Sequence, residues 1–339
     1  MRKTLLYLVL LVTLAFGVYY FIFKGSDSPF SSKEASFTIR DTASIGKIFL
    51  ARANGESITL ERSNGGWILN NKYPALAGIT KGLLATLHDQ SAIAPIPESA
   101  HNNIIKGMAG TSVKVELYDN AGQKMRVFYV GGEAYHNGTY MLMEGASTAY
   151  VVQILGFTGY LTPRYSTDWK DWRDRTVSNV SPEQIQSVTI QYTNEPLNSF
   201  TVQQSNDSLT VIGDPVITRN KKLNEHRTRS FLKFFQNLNL EGYVTGTSPT
   251  DSVIKPVDKR CSIDIKSKQG QQHVDVYWMP LNRRSKNLLT PMPNHPNQYD
   301  ADHFYAVLNN YKDTAVIQRF TFDKIFRACF EFYTPDEEK

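Results

Sequence analysis

Two cysteines in 339 residues are too few for a disulfide-dense scaffold, so the fold must rest mainly on buried apolar surface. An oxidising compartment permits a bond between Cys261 and Cys329; two free buried thiols are the alternative that the sequence leaves open. Histidine is scarce as well, at seven. His295 and His303 stand near Asp300 and Asp302 in HPNQYDADH, but at no known ligand spacing, so a solvated loop is the reading and no metal or cofactor is expected. No serine sits in a G-x-S-x-G elbow, and Gly46-Lys47 precedes Ile without a glycine run before it, which excludes a phosphate loop of that type. The excess of positive charge is small. Of a net +5, Arg2, Lys3 and Lys24 account for three and leave +2 for the rest, too mild for a nucleic-acid partner.

Long hydrophobic runs are limited to one. Thr4–Phe23 is twenty positions without a charge, enough for a helix of about 30 Å, the thickness of a bilayer's hydrocarbon core. Arg2 and Lys3 precede it, and Tyr19, Tyr20, Phe21 and Phe23 cluster at its far end. The positive-inside bias and an aromatic belt then imply a single-pass anchor, with the N-terminus in the cytoplasm and residues 25–339 outside it. A cleaved signal peptide competes less well: cutting after Ala15 and Gly17 would leave VYYFIF exposed. Residues 1–24 are thus read as anchor and short cytoplasmic N-terminus, and 25–36 as a polar tether.

Past the tether the chain repeats itself. Ile45–Leu50, SITLERS and GWILN read as strands, as do Ile185–Ile190, SFTVQQS and SLTVIG 140 residues on. One amphipathic helix follows each set, carrying Ile79, Leu83, Leu84 and Leu87 in the first half and Phe231, Phe235 and Leu238 in the second. SVKVELY then answers CSIDIKS, Tyr140 answers Tyr305, and AYVVQILGF answers TAVIQRFTF, with insertions widening the offset. The last insertion is the loop NRRSKNLLTPMPNHPNQY. The fold class implied is α+β: a transmembrane helix followed by a tandem duplication of an antiparallel-sheet-plus-helix unit, with copies at 37–165 and 185–330, a seam at 166–184 and a tail at 331–339.

Gly66-Trp67-Ile68-Leu69-Asn70, the turn in Tyr129-Val-Gly131-Gly132, the strand Gly138–Met141 and the linker Trp172–Arg175 resemble an uncharacterised domain-of-unknown-function family. The resemblance covers Ser36 to Val180 well and the second half more loosely. Members of that family are typically anchored by one N-terminal helix, and its domain also occurs joined to auxiliary subunits of gliding-motility-type ABC transporters. With the anchor, the resemblance implies an envelope location, the bacterial inner membrane with the bulk of the chain on the periplasmic side, and envelope or transporter protein partners; it supplies no catalytic residues. The Asp-Ser/Thr-aliphatic signal for O-glycosylation used by bacteria related to the gliders recurs at Thr42, Ser208, Ser252 and Thr314. Helix caps and turns are the plainer account of those four.

The stretch DWKDWRDR, Asp168–Arg175, offers the densest set of candidate side chains. Acids three residues apart on one loop seldom flank a sugar from both sides. Trp169 and Trp172, with Arg173 and Arg175, could stack on a ligand, or they could pack between the two copies as buried indoles usually do. Arg219, Lys221, Lys222, Arg227, Arg229 and Lys233 form a basic cluster of the kind a solvated helix face carries. No nucleophile, acid–base pair or metal set stands at catalytic spacing. The sequence therefore implies a non-enzymatic, membrane-anchored protein that binds or holds partners, and the resemblance implies that these belong to a transport or surface-assembly complex. The alternative is an enzyme or binder acting on envelope glycans through a cleft between the copies.

Overall fold

The structure, a computed structural model, describes residues 33–205, 208–244, 254–290, 296–308 and 313–334, together with Leu11 and Thr13. It divides into two compact units between Asp174 and Arg175.

The first unit opens with strands β1 (Ile45–Arg52), β2 (Ser57–Ser63), β3 (Gly66–Leu69) and β4 (Tyr73–Pro74), then helix α1 (Ala77–Asp89), β5 (Gln90–Pro95) and α2 (Glu98–Thr111). Strands β6 (Val113–Asp119), β7 (Lys124–Ala134), β8 (Gly138–Met143) and β9 (Tyr150–Ile154) follow, and the one-turn helix α3 (Trp169–Trp172) ends it. The nine strands form one antiparallel sheet in the order β4-β3-β2-β1-β6-β7-β8-β9-β5. The second unit holds β10 (Thr176–Ser178), β11 (Ile185–Tyr192), β12 (Phe200–Ser205), β13 (Ser208–Gly213), the one-turn α4 (Pro215–Thr218), α5 (Glu225–Leu232), β14 (Leu238–Asn239) and β15 (Gly242–Tyr243). Then come β16 (Lys259–Ser267), β17 (Gly270–Pro280), β18 (Tyr299–Leu308), β19 (Asp313–Gln318) and the one-turn α6 (Arg319–Phe322). Its main sheet runs β13-β12-β11-β16-β17-β18-β19-β15, and β10 pairs with β14 apart from it.

The α+β architecture led by a membrane-crossing helix is corrected here. The described residues are built mostly from antiparallel strands, and no helix among them is long and apolar enough to cross a membrane. The longest, α2, has 14 residues, about 21 Å at the helical rise and short of a bilayer's hydrocarbon core. Thr4–Phe23 lies outside the described residues. The strands dominate because alternation of apolar and polar residues runs through most of the chain, and period-two patterning puts one face of a sheet in the core.

The two main sheets share their strand order, and the register matches in detail. Leu50 pairs with Val115 in the first and Ile190 with Ile263 in the second. Both ladders carry an irregularity at the same place, between Ile45 and Lys47 and between Ile185 and Ser187. The sequence repeat sets Val113 against Ile263, whereas the ladders align Val115, two residues on, with Ile263. A slip of two keeps the same residues inward, which is why sequence alone does not fix it.

In each unit the inward faces of the strands meet a few helical residues. The first core joins Ile48, Leu50, Val115, Leu117, Phe128 and Val152 to Leu83 and Leu87 of α1. The buried face of α1 is Thr80, Leu83, Thr86 and Leu87, whereas Ile79 is exposed. Two threonines can occupy that face because their hydroxyls donate back to the helix, Thr86 Oγ1 to the Gly82 carbonyl at 2.9 Å. The second core joins Val188, Ile190, Ile263 and Val276 to Phe231, Phe235, Phe322 and Phe332. The helix carrying Phe231 ends at Leu232; Phe235 sits in a following 3₁₀ turn and Leu238 on β14.

Two glycines set close approaches. A Cβ on Gly131 would meet Met108 Cγ at 2.9 Å, so α2 lies against β7 only where no side chain intervenes. A Cβ on Gly213 would overlap Cys329 Sγ. Gly213→Ala should therefore cost about 1–3 kcal/mol by overpacking, seen as a lower urea midpoint. The double substitution G213A/C329A should lose less than the sum of the two single changes, because removing Sγ frees the space.

Candidate functional site

DWKDWRDR folds as a capped turn at the end of the first unit. The Asp168 carboxylate accepts from the Lys170 N–H at 3.0 Å and starts α3. Trp172 is buried in the first core and its Nε1–H donates to the Ser166 carbonyl at 2.9 Å. Trp169 stacks on Tyr73 with ring centroids 5.8 Å apart, and the Arg173 guanidinium lies 4.0 Å from the Tyr73 centroid. Backbone bonds tie the stretch to β4 and α1: Asp174 N–H to the Pro74 carbonyl at 2.9 Å and Leu76 N–H to the Trp172 carbonyl at 2.6 Å. Arg175 belongs to the second unit, where its Nη1 donates to the Glu241 carbonyl at 2.8 Å. Of the four side chains, the structure brings Trp169, Trp172 and Arg173 together, and all three serve the first unit's packing.

Cys261 and Cys329 are both buried and free, so the candidate disulfide is corrected to two thiols. Cys261 faces inward on β16 and Cys329 sits beneath Gly213. Thr42 opens a 3₁₀ turn whose cap is Asp41, Ser208 is exposed at the start of β13, and Thr314 is half-buried within β19. Ser252 lies outside the described residues. So does His295, whereas His303 bridges Asp300 at 3.0 Å and Glu241 at 3.3 Å. Among the described residues no three His, Cys, Asp or Glu side chains form a metal-holding group.

Charged side chains gather on the outward side of the β6–β7 and β16–β17 hairpins. In the first unit Glu116 bonds Lys114 at 2.7 Å and accepts from the Tyr118 hydroxyl. In the second, His273 lies between Asp264 at 2.7 Å and Asp275 at 3.1 Å, while Asp275 also takes Lys259 at 2.8 Å and the Ser262 hydroxyl at 2.7 Å. Partial burial disfavours charge on His273, but the hydrogen bond and charge of Asp264, joined by Asp275, outweigh it and hold the imidazole above its ordinary value.

The site that sequence reasoning missed is a pocket of about 610 Å³ in the second unit, inside the usual range for small-molecule sites. Tyr192 at the end of β11, Arg260 on β16, Trp278 on β17 and Tyr299 at the start of β18 line it, with Glu195 and Arg319 at its sides. Trp278 and Tyr299 are stacked, centroids 5.4 Å apart and 20° between planes. The Arg260 guanidinium sits among three rings, 4.6 Å from the Trp278 centroid, 4.5 Å from Phe326 and 5.1 Å from Phe304. Its Nε is enclosed without a hydrogen-bond partner among the described residues. Burial lowers the pKa of this guanidinium, though charges on neighbouring groups oppose the shift. Both tyrosine hydroxyls are engaged elsewhere, Tyr299 with Asp258 at 2.6 Å and Tyr192 with the Arg327 carbonyl at 2.9 Å.

One wall comes from the proline- and asparagine-rich insertion. The Asp300 carboxylate, 2% exposed, accepts from the Ser285 hydroxyl, from the Asp302 N–H at 2.9 Å and from the His303 N–H at 2.8 Å. Asn287 spans the same segment, donating to the Tyr299 carbonyl at 2.8 Å and accepting from the Ala301 N–H at 3.0 Å. These bonds fix Gln298 and Tyr299 at the pocket edge.

Residues 106–259 match the family described as Domain of unknown function (DUF4340). The chain is thus similar to that family from within α2 to the first residue of β16, across the division between units. The resemblance read from sequence placed its weight earlier, over Ser36 to Val180. Tyr192, Asn194, Glu195 and Val257 of the pocket fall inside the DUF4340 match; Arg260, Trp278, Tyr299 and Arg319 fall beyond it. No curated protein and no solved structure matches the chain.

Two outcomes check these assignments. Burial pushes the Cys261 thiol up to about 12, so at pH 8.5 iodoacetamide should leave it unmodified in the folded protein and label both cysteines once urea is added. Mass spectrometry counts the adducts. For His273 the folded imidazole is raised above the unfolded value of about 6.5. Its contribution is fully present below that pH and is lost as pH rises through the folded value. Urea midpoints should fall across that interval, and His273→Gln should flatten the dependence.

Proposed function

We propose that this chain is a non-catalytic binding component of the cell envelope, working on the periplasmic side of a bacterial inner membrane and accessory to a transport or surface-assembly complex. The observation that carries the binding role is the Arg260 pocket. Its walls combine ring faces, amides and charges gathered at the ends of strands, the composition of a recognition site. The envelope location rests on the uncharged run Thr4–Phe23 with Arg2 and Lys3 before it. The partnership with transport or assembly proteins rests on the sequence resemblance described above. A glycan-directed role is the second reading, favoured by the stacked Trp278 and Tyr299 beside Asn194, Glu195 and Gln298.

A phosphatase fused after Lys339 should be active in cells, and a cytoplasmic reporter at that position silent; the opposite pattern ends the envelope reading. A photo-crosslinker at Val257, 76% exposed on the pocket rim, should capture envelope transport or assembly proteins in intact cells, and one at Leu197 far fewer. Equal capture from both positions removes the pocket from the partner interface.

A further inference from the structure

The Arg260 pocket carries an unusual electrostatic arrangement. Arg260 is half-buried among three aromatic rings, and among the described residues no carboxylate lies within ion-pair distance of it. A cation withdrawn from water without a counter-ion is costly, and proteins usually pair such a charge. The guanidinium's Nε is enclosed without a hydrogen-bond partner among the described residues, and Arg260 lines the cavity. Arg319, the second cation of the wall, pairs with Asp323 at 3.4 Å, and that carboxylate acts on Arg260 only from beyond ion-pair distance.

The remaining walls supply what a polyhydroxylated ring requires. Trp278 and Tyr299 give aromatic surface for the C–H face of a sugar. Asn194 and Gln298 offer amide donors and acceptors, and Glu195, which accepts from Asn198 Nδ2 at 2.7 Å through one oxygen, keeps the other for a hydroxyl. Because the tyrosine hydroxyls are tied to Asp258 and the Arg327 carbonyl, their rings are set before any ligand arrives.

We infer that this pocket binds an acidic saccharide, a sugar ring bearing a carboxylate, with the carboxylate on Arg260 and Arg319 and the ring against Trp278 and Tyr299. The inference rests on the reading of the pocket as a binding site and names its ligand class. A planar carboxylate suits a guanidinium held by its rings, since two N–H groups can engage both oxygens.

The test uses the full-length chain, with D-glucuronate, D-glucose and inorganic phosphate as probes and calorimetry alongside tryptophan fluorescence. Glucuronate should bind saturably and perturb the fluorescence, and Trp278→Phe should abolish that signal. Glucose should bind at least tenfold more weakly. Arg260→Gln should weaken glucuronate tenfold or more, and Arg260→Lys should recover only part. If Arg260→Gln does not fold, Arg319→Gln and Gln298→Ala, both on the pocket wall, should each weaken glucuronate binding severalfold. Absent glucuronate binding, equal binding of glucose, or indifference to Arg260 and Arg319 would overturn the inference. Phosphate binding that depends on Arg260, with glucuronate silent, would overturn the ligand class while leaving a binding pocket in place.

Discussion

Each unit depends on one long-range strand pairing. β1 must find β6, and β11 must find β16, across the whole of the intervening strands and helices. Once that ladder forms, the hairpins on both sides extend the sheet by local turns, and β5 and β15 then add to its far edge on β9 and β19. Closing a long loop costs entropy before any contact repays it, although the cost grows slowly with length. The compensation lies in Ile48 and Leu50, and in Val188 and Ile190, whose pairing buries the centre of each core at once. The irregularity after the first residue of each ladder sits at the same position in both, so the twist of the two sheets starts from a shared device.

Strands with strict alternation were legible from the sequence: β1, β2, β11 and β12 stand where SITLERS, SFTVQQS and their neighbours alternate. The helices were less so. Ile79 looks like a core residue by hydrophobicity, yet Thr80 occupies the buried position because its hydroxyl is satisfied by the Leu76 and Ala77 carbonyls. Helix α2 gives a weak signal, since only Met108 of its 14 residues is buried. β5, β14 and β15 are short edge or side strands whose pairing is settled by tertiary context.

The pocket was illegible for a different reason. Its walls come from the ends of β11, β16, β17 and β18 and from α6, and no two of the deciding groups Arg260, Trp278, Tyr299 and Arg319 are neighbours in the chain. Convergence of that kind follows from sheet order, which periodicity does not report. A partial signal existed in the proline-rich insertion, which forms the wall at Gln298 and Tyr299. DWKDWRDR drew attention for its composition, yet Trp172 at 1% exposure is core, and truncating such an indole typically costs about 3–5 kcal/mol.

The outer strands of these sheets carry a consequence for behaviour at high concentration. β4 and β15 have two residues each, too few to template an incoming chain. β5 is longer, but it carries an irregularity between Ala92 and Ala94 and ends in Pro95. On β13 the Tyr333 hydroxyl fills the Val211 carbonyl at 2.9 Å. The backbone of Asp174 does the same for β4 at Pro74. Short, bent or capped margins of this sort deny neighbouring molecules a row of open amides. A protein this rich in strand is thereby protected against edge-to-edge polymerisation, and the tryptophan-bearing turn that ends the first unit is one of its guards.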